Sequence, residues 1–154
     1  MNKTHLNIFY LLIFFFFNVN AFGEENRKTV INIEADQLIT TQNPLKSEFI
    51  GNVYAFDQEN FFWGDKMIIH YDASKKIELI NLEKNVTVKR INEEATGNFA
   101  SYNPKTDTIE IIGDVVVLKD KNILYGEKLT IDLISSTSII TGNNDKQVSV
   151  KIVQ

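Results

Sequence analysis

After residue 24 the chain alternates between apolar and polar positions. Lys76-Ile77-Glu78-Leu79, Thr108-Ile109-Glu110-Ile111 and Lys128-Leu129-Thr130-Ile131-Asp132-Leu133 place an apolar side chain at every second residue. Successive side chains of a strand point to opposite faces, so this period makes one sheet face apolar and leaves the other polar. The segments are rich in Ile, Val, Tyr, Phe and Thr, which suit a pleated surface. None of them carries the 3.6-residue stripe of an amphipathic helix. The pattern predicts an all-β chain.

Polar breaks bound these segments. They are Thr41-Gln42-Asn43-Pro44, Asp57-Gln58-Glu59-Asn60, Asp72-Ala73-Ser74-Lys75-Lys76, Asn92-Glu93-Glu94, Asn103-Pro104-Lys105-Thr106-Asp107, Asp120-Lys121-Asn122 and Ser135-Ser136-Thr137-Ser138. They hold both prolines and read as loops. A second series lies between them. Gly51, Gly64, Gly97, Gly113, Gly126 and Gly142 are each followed by an acid or an amide, and Ala35-Asp36 and Lys84-Asn85 complete the spacing. Glycine tolerates positive φ and Asx side chains bond nearby backbone, so these steps are expected to be corners. The resulting unit repeats with a period of about 29 residues, with one insertion between Gly64 and Lys84. Corners and loops together would cut the chain into about sixteen short strands, the pattern of a sandwich, a jelly roll or a β-solenoid.

The N-terminus follows another rule. Lys3 and His5 precede the apolar run Leu6–Phe17, and small residues stand at Ala21 and Gly23. This order reads as a secretory signal peptide over residues 1–21, with cleavage possible at 23, leaving one domain over 24–154. The alternative is a retained anchor, although the run is short of the roughly 20 apolar residues a bilayer span needs. Removing residues 1–21 leaves 15 basic residues against 20 acidic ones, a balance that argues against nucleic acid as a partner. There is no cysteine, which excludes disulfides, thiol nucleophiles and Cys-ligated metals. His70 is the one histidine after residue 24, and a metal-dependent jelly roll needs several clustered together. No nucleotide-binding or hydrolase motif is present. The reading is of a chain without cofactor, metal or catalytic residues.

Ile33-Glu34-Ala35-Asp36, Phe49-Ile50-Gly51-Asn52-Val53, Gly64-Asp65-Lys66-Met67, Tyr71-Asp72, and Tyr102–Ile109 followed by Gly113-Asp114-Val115 resemble the OstA-like repeat of periplasmic lipopolysaccharide-transport proteins. The resemblance covers roughly residues 30–143, with Lys84 and the insertion as departures. It implies an open β-jelly roll of stacked antiparallel strands. It also implies a periplasmic, non-enzymatic role in Gram-negative cells. Lipopolysaccharide would pass from an inner-membrane extractor to an outer-membrane translocon, both partners carrying OstA-like domains, with copies joined head to tail.

Alternation nominates the residues that would line such a groove and meet the lipid A acyl chains. They are Phe49, Val53, Ala55, Phe62, Met67, Ile69 and Tyr71; then Ile77, Leu79, Val86 and Val88; then Ile109, Ile111, Val115, Val117, Leu129, Ile131 and Leu133. The plainer reading of each is a dry core residue. In Phe61-Phe62-Trp63, Phe62 would face the groove while Phe61 or Trp63 meets a partner, or the run is a packed hairpin flank. The sheet edges are expected at Thr29–Ile33, through Val30, Ile31 and Ile33, and at Gln147–Val153, through Val148, Val150 and Ile152. Unpaired edges accept a further strand. Three other readings stand beside this one: a membrane-anchored relay of the same machine, a structural β-solenoid with no ligand, and an enzyme.

Overall fold

The structure, a computed structural model, describes residues 31–57 and 60–153. The expected signal peptide and Val30 lie outside the described residues.

Hydrogen-bonded strands are β1 (Asn32–Glu34), β2 (Gln37–Gln42), β3 (Leu45–Phe56), β4 (Phe61–Tyr71), β5 (Ile77–Arg90), β6 (Glu93–Asn103), β7 (Thr108–Lys119), β8 (Asn122–Asp132), β9 (Thr137–Thr141) and β10 (Ser149–Lys151). All pair antiparallel in one open sheet. From β3 to β8 each strand pairs with the next in sequence, through short turns. The predicted polar breaks fall at these turns.

Ala35-Asp36 and Gly142-Asn143 do separate strands, as expected, but the six steps between them are not strand ends, which corrects the expected sixteen short strands. They sit inside long strands as bulges. The register slips at Gly51-Asn52 opposite Asp65, at Lys84-Asn85 opposite Asn98, and at Gly113-Asp114 opposite Glu127. Both residues of each pair on β3, β5 and β7 have positive φ. A bulge bends its strand and raises the local twist. Because the bulges line up across the sheet, all six long strands bend along one line. That line divides the sheet into a first leaf (residues 45–50, 66–71, 77–83, 99–103, 108–112 and 128–132, with β2 and β9) and a second leaf (53–56, 61–63, 86–90, 93–96, 115–119 and 122–125, with β1 and β10).

The two leaves face one another. An uncovered sheet face leaves its side chains in water, yet Val53, Val86, Ile111 and Val115 are each 1% exposed. The described residues contain no helix to cover them. A single apolar cluster draws on both leaves: Met67, Leu82, Ile111 and Leu129 from the first, Val53, Val86, Val115 and Val117 from the second. At the crease Val53 pairs with Gly64, Val86 with Gly97 and Val115 with Gly126. A Cβ on Gly97 would meet Ile111 Cγ2 at 2.6 Å, so the missing side chain is the socket for that isoleucine. The fold is the expected all-β open jelly roll.

Candidate functional site

Cross-strand register turns the inner faces into two apolar rows that run across the strands. In the first leaf, Leu38, Phe49, Met67, Leu82, Ala100, Ile111, Leu129 and Ile140 are successive partners from β2 to β9. In the second, Ile33, Ala55, Phe62, Val88, Ala95, Val117, Leu124 and Val150 are successive partners from β1 to β10. No polar side chain interrupts either row. With about 4.8 Å between strands, each row is roughly 34 Å long.

Burial varies along and across these rows. The centre is filled by its own side chains, with Met67, Leu82, Val117 and Leu129 all at 5% exposure or less. One end of each row is open, Leu38 at 58% exposure and Val150 at 41%, while the opposite ends, Ile140 and Ile33, pack against the cluster. Away from the crease, Phe62, Tyr71, Val88, Ile109 and Leu133 are only partly buried against the cluster. The result is a trough, closed along the crease and opening toward both sheet edges and toward the strand tips.

Of the residues nominated from sequence, Val53, Ala55, Met67, Ile69, Val86, Ile111, Val115, Val117, Leu129 and Ile131 are buried in the cluster. Phe49, Phe62, Tyr71, Val88, Ile109 and Leu133 pack against it. Ile77 and Leu79 do not belong to it. The register slips between His70 and Tyr71, so Tyr71 opposes Ile77 at the strand end while Leu79 opposes His70. Ile77 is 39% exposed, and Ile80 and Leu82 take the inward positions instead. Alternation gave the right period there but the wrong phase. Ala95 and Ala100 were missed because alanine carries little apolar signal. Ile33 and Ile140 were missed as trough residues because they lie on short strands, and Leu124 because it stands close to the turn that opens β8.

Phe61-Phe62-Trp63 splits as alternation requires. Phe62 packs inward. On the outer face the Trp63 ring stacks on Tyr54 at 5.2 Å and on Phe61 at 6.2 Å, and Tyr54 stacks on Phe56 at 5.0 Å.

The edges are wider than the alternation predicts. β1 and β2 together line β3, and β9 and β10 together line β8. Both edges are split where the crease crosses them. Ile33 and Val150 are in edge strands; Ile31, Val148 and Ile152 only flank them and are exposed. At the C-terminal edge residues 142–148 leave the ladder. Asn143 Oδ1 accepts the N–H groups of Asp145 and Lys146 at 2.9 and 2.8 Å, and Lys146 Nζ donates to Asp114 Oδ1 at 2.6 Å. The Lys146 ammonium holds the Asp114 carboxyl below its ordinary range.

Several repeated Asx side chains are engaged with each other along the crease. Asn52 Nδ2 donates to Asp36 at 2.8 Å, and Asn85 Nδ2 donates to both Asp65 oxygens at 3.0 and 3.1 Å. Tyr102 donates its hydroxyl to Asp107 at 2.8 Å. Burial, then that carboxylate, push its phenol up to about 12. Among the described residues no three His, Cys, Asp or Glu gather where they could hold a metal.

The sequence profile of a family described as LptA/(LptD N-terminal domain) LPS transport protein matches residues 32–137. Among solved structures, the chain is similar to LptH from Pseudomonas aeruginosa, described as the LptA homologous periplasmic component of the lipopolysaccharide transport device. The TM-score is 0.72 at 15% identity, covering 85% of this chain and 100% of that one, a likeness of fold. No curated protein matches the sequence.

Proposed function

The chain belongs to the LptA/LptD N-terminal domain family of lipopolysaccharide-transport proteins, and we propose that it carries the acyl chains of lipopolysaccharide in the trough between its leaves while its edges bridge inner- and outer-membrane export components. The observation that carries this reading is the pair of unbroken apolar rows that reach both sheet edges, one ending exposed at Leu38 and the other at Val150.

An acyl chain in water costs about 0.8 kcal/mol per CH₂. A carrier therefore has to cover its length while leaving the phosphates and sugars in solvent. The trough has that polarity: apolar rows inside, and outside them charged pairs such as Lys66–Glu48 at 2.9 Å and Lys128–Glu110 at 2.5 Å. Its centre is occupied by its own side chains, so a guest enters by parting the leaves about the bulged crease. Phe62, Val88, Tyr71, Ile109 and Leu133, already partly exposed, are the first to meet it.

Edge pairing supplies continuity. An unpaired strand offers its N–H and C=O groups to another chain. A neighbour docked head to tail on β1/β2 or β9/β10 prolongs the sheet, and with it both apolar rows. Transport is then passage along a row, with no bond made or broken, and the residues of this site are binding residues with no catalytic role. A periplasmic location is supported by the location of LptH and by the export signal expected at the N-terminus.

Depletion of the protein in its host tests the reading. Newly made lipopolysaccharide is expected to accumulate at the inner membrane; unchanged delivery to the outer membrane contradicts it.

A further inference from the structure

The two lips of the trough differ in chemistry. On the second leaf the inward face does not stop at the apolar row. Arg90 stands two residues beyond Val88, Glu93 two before Ala95, Lys119 two beyond Val117 and Asn122 two before Leu124. Side chains two apart share a strand face, so these four continue the inward surface to the strand tips. They are also successive partners: Arg90 opposes Glu93, Glu93 opposes Lys119, and Lys119 opposes Asn122. A charged row therefore runs along the mouth, beside the apolar one.

This row is sheltered. Lys119 Nζ lies 2.5 Å from Glu93 Oε1, and both side chains are 19% exposed. The next pair on the outer face, Lys89 and Glu94, stands 3.7 Å apart at 56% and 37%. Amides close the two ends of the row. Asn60 donates its backbone N–H to Asp57 Oδ1 at 2.8 Å and its Nδ2 to both Asp57 oxygens at 3.0 Å. Asn122 Oδ1 accepts the Val153 N–H at 3.1 Å. Between these ends Arg90 and Lys119 flank one carboxylate, that of Glu93, with the two cationic strands roughly 10 Å apart.

The opposite lip is built otherwise. Its inward residues near the strand tips are Tyr71 and Leu133. First-leaf lysines stand on the outer face, where Lys66 meets Glu48 and Lys128 meets Glu110, or in a turn, where Lys105 meets Glu78. A guest whose tails lie between the leaves meets a phenolic and aliphatic lip on one side and paired cations on the other. A sheltered cation acts on an anion with less screening than one in open water. A phosphate monoester carries about −1.5 to −2 charges at pH 7 and three acceptor oxygens. The guanidinium fork fits it bidentately. Such a group outcompetes the single charge of Glu93 for the cations on either side.

We propose that Arg90 and Lys119 form a phosphate site on the second-leaf lip, which takes the phosphorylated sugar end of a glycolipid whose acyl chains lie in the trough, an assignment that rests on the trough reading and adds the position of the head. The charged row is parallel to the apolar rows. A head held there stands at the mouth, and both apolar rows stay free to continue into a neighbour.

The full chain is titrated with lipid A bearing its phosphates and with the same lipid A after their enzymatic removal. The readout is the ratio of the two affinities. The expected ratio is about tenfold in favour of the phosphorylated form. It falls toward one when Arg90→Gln and Lys119→Gln are combined. It rises in Glu93→Gln, which removes the competing carboxylate, and a rise cannot come from lost folding. A ratio of one in the unaltered protein overturns the proposal. So does a ratio that the double variant leaves unchanged, or one that Glu93→Gln lowers. Inorganic phosphate in large excess is expected to leave the ratio as it was; its collapse would make the lip a site for free phosphate and overturn the headgroup assignment. Binding of both lipid A forms at a ratio of one removes the lip site and spares the trough, whereas binding of neither removes both.

Discussion

Lys84 holds a backbone conformation, φ 59, that its counterparts in the crease at positions 51 and 113 fill with glycine. A left-handed L-residue costs about 1 kcal/mol, and the side chain is exposed, so nothing is lost by removing it. Lys84→Gly is expected to raise the urea midpoint by the equivalent of about 1 kcal/mol; an unchanged midpoint would show that the strain is relieved elsewhere. Gly97 makes the opposite case. Its missing Cβ is the space Ile111 Cγ2 occupies, with Ile112 O at 3.2 Å behind it. Gly97→Ala is expected to cost about 1–3 kcal/mol through overpacking, less in an Ile111→Ala background, as read by a double-mutant cycle in urea. Additive costs would mean that the two residues do not share the socket. The Asx positions were legible as structural from spacing alone, and the Asn52–Asp36 and Asn85–Asp65 pairs give the reason: those side chains tie one strand's bend to the next.

At the scale of elements, the sequence exposed the period of the strands better than their continuity. Polar breaks such as Asp72–Lys76 and Asp120-Lys121 marked the turns because a hairpin needs local turn chemistry. Six of the eight Gly-Asx steps carry the same chemistry but are spent inside strands, where the ladder resumes on the far side; a bulge and a corner look alike until pairing is known. The same ambiguity moved the phase in β5. One slip between His70 and Tyr71 turned Ile80 and Leu82 inward and left Ile77 at the rim. The split edges, β1/β2 and β9/β10, were partly hidden because their strands are short. Their open row ends make a prediction. Leu38→Glu or Val150→Glu puts a charge where a neighbour's row would continue, on side chains that are 58% and 41% exposed and so little needed for folding. Light scattering after gel filtration should show shorter assemblies with unchanged circular dichroism; undiminished assembly would place the junction elsewhere.

For the whole molecule, the bend matters more than any single strand. A chain without cysteine has no covalent staple, so the two leaves are held by the burial of Val53, Val86, Ile111, Val115 and their neighbours along the crease. Burial weakens away from it, at Phe62, Tyr71, Val88, Ile109 and Leu133. The inward apolar faces were legible in the alternating residues. Their closure on one another at the crease was not, since that depends on which aliphatic meets which glycine across leaves. The central claim is that lipid travels between the leaves and not over the outer faces. Photo-crosslinking tests it most directly. A photoreactive phenylalanine at Phe62 or Ile131, both turned inward, is predicted to form adducts with lipopolysaccharide in the exporting cell, and the same probe at Thr130, turned outward, to form none. Adducts at Thr130 alone, or at no inward position, would contradict the account.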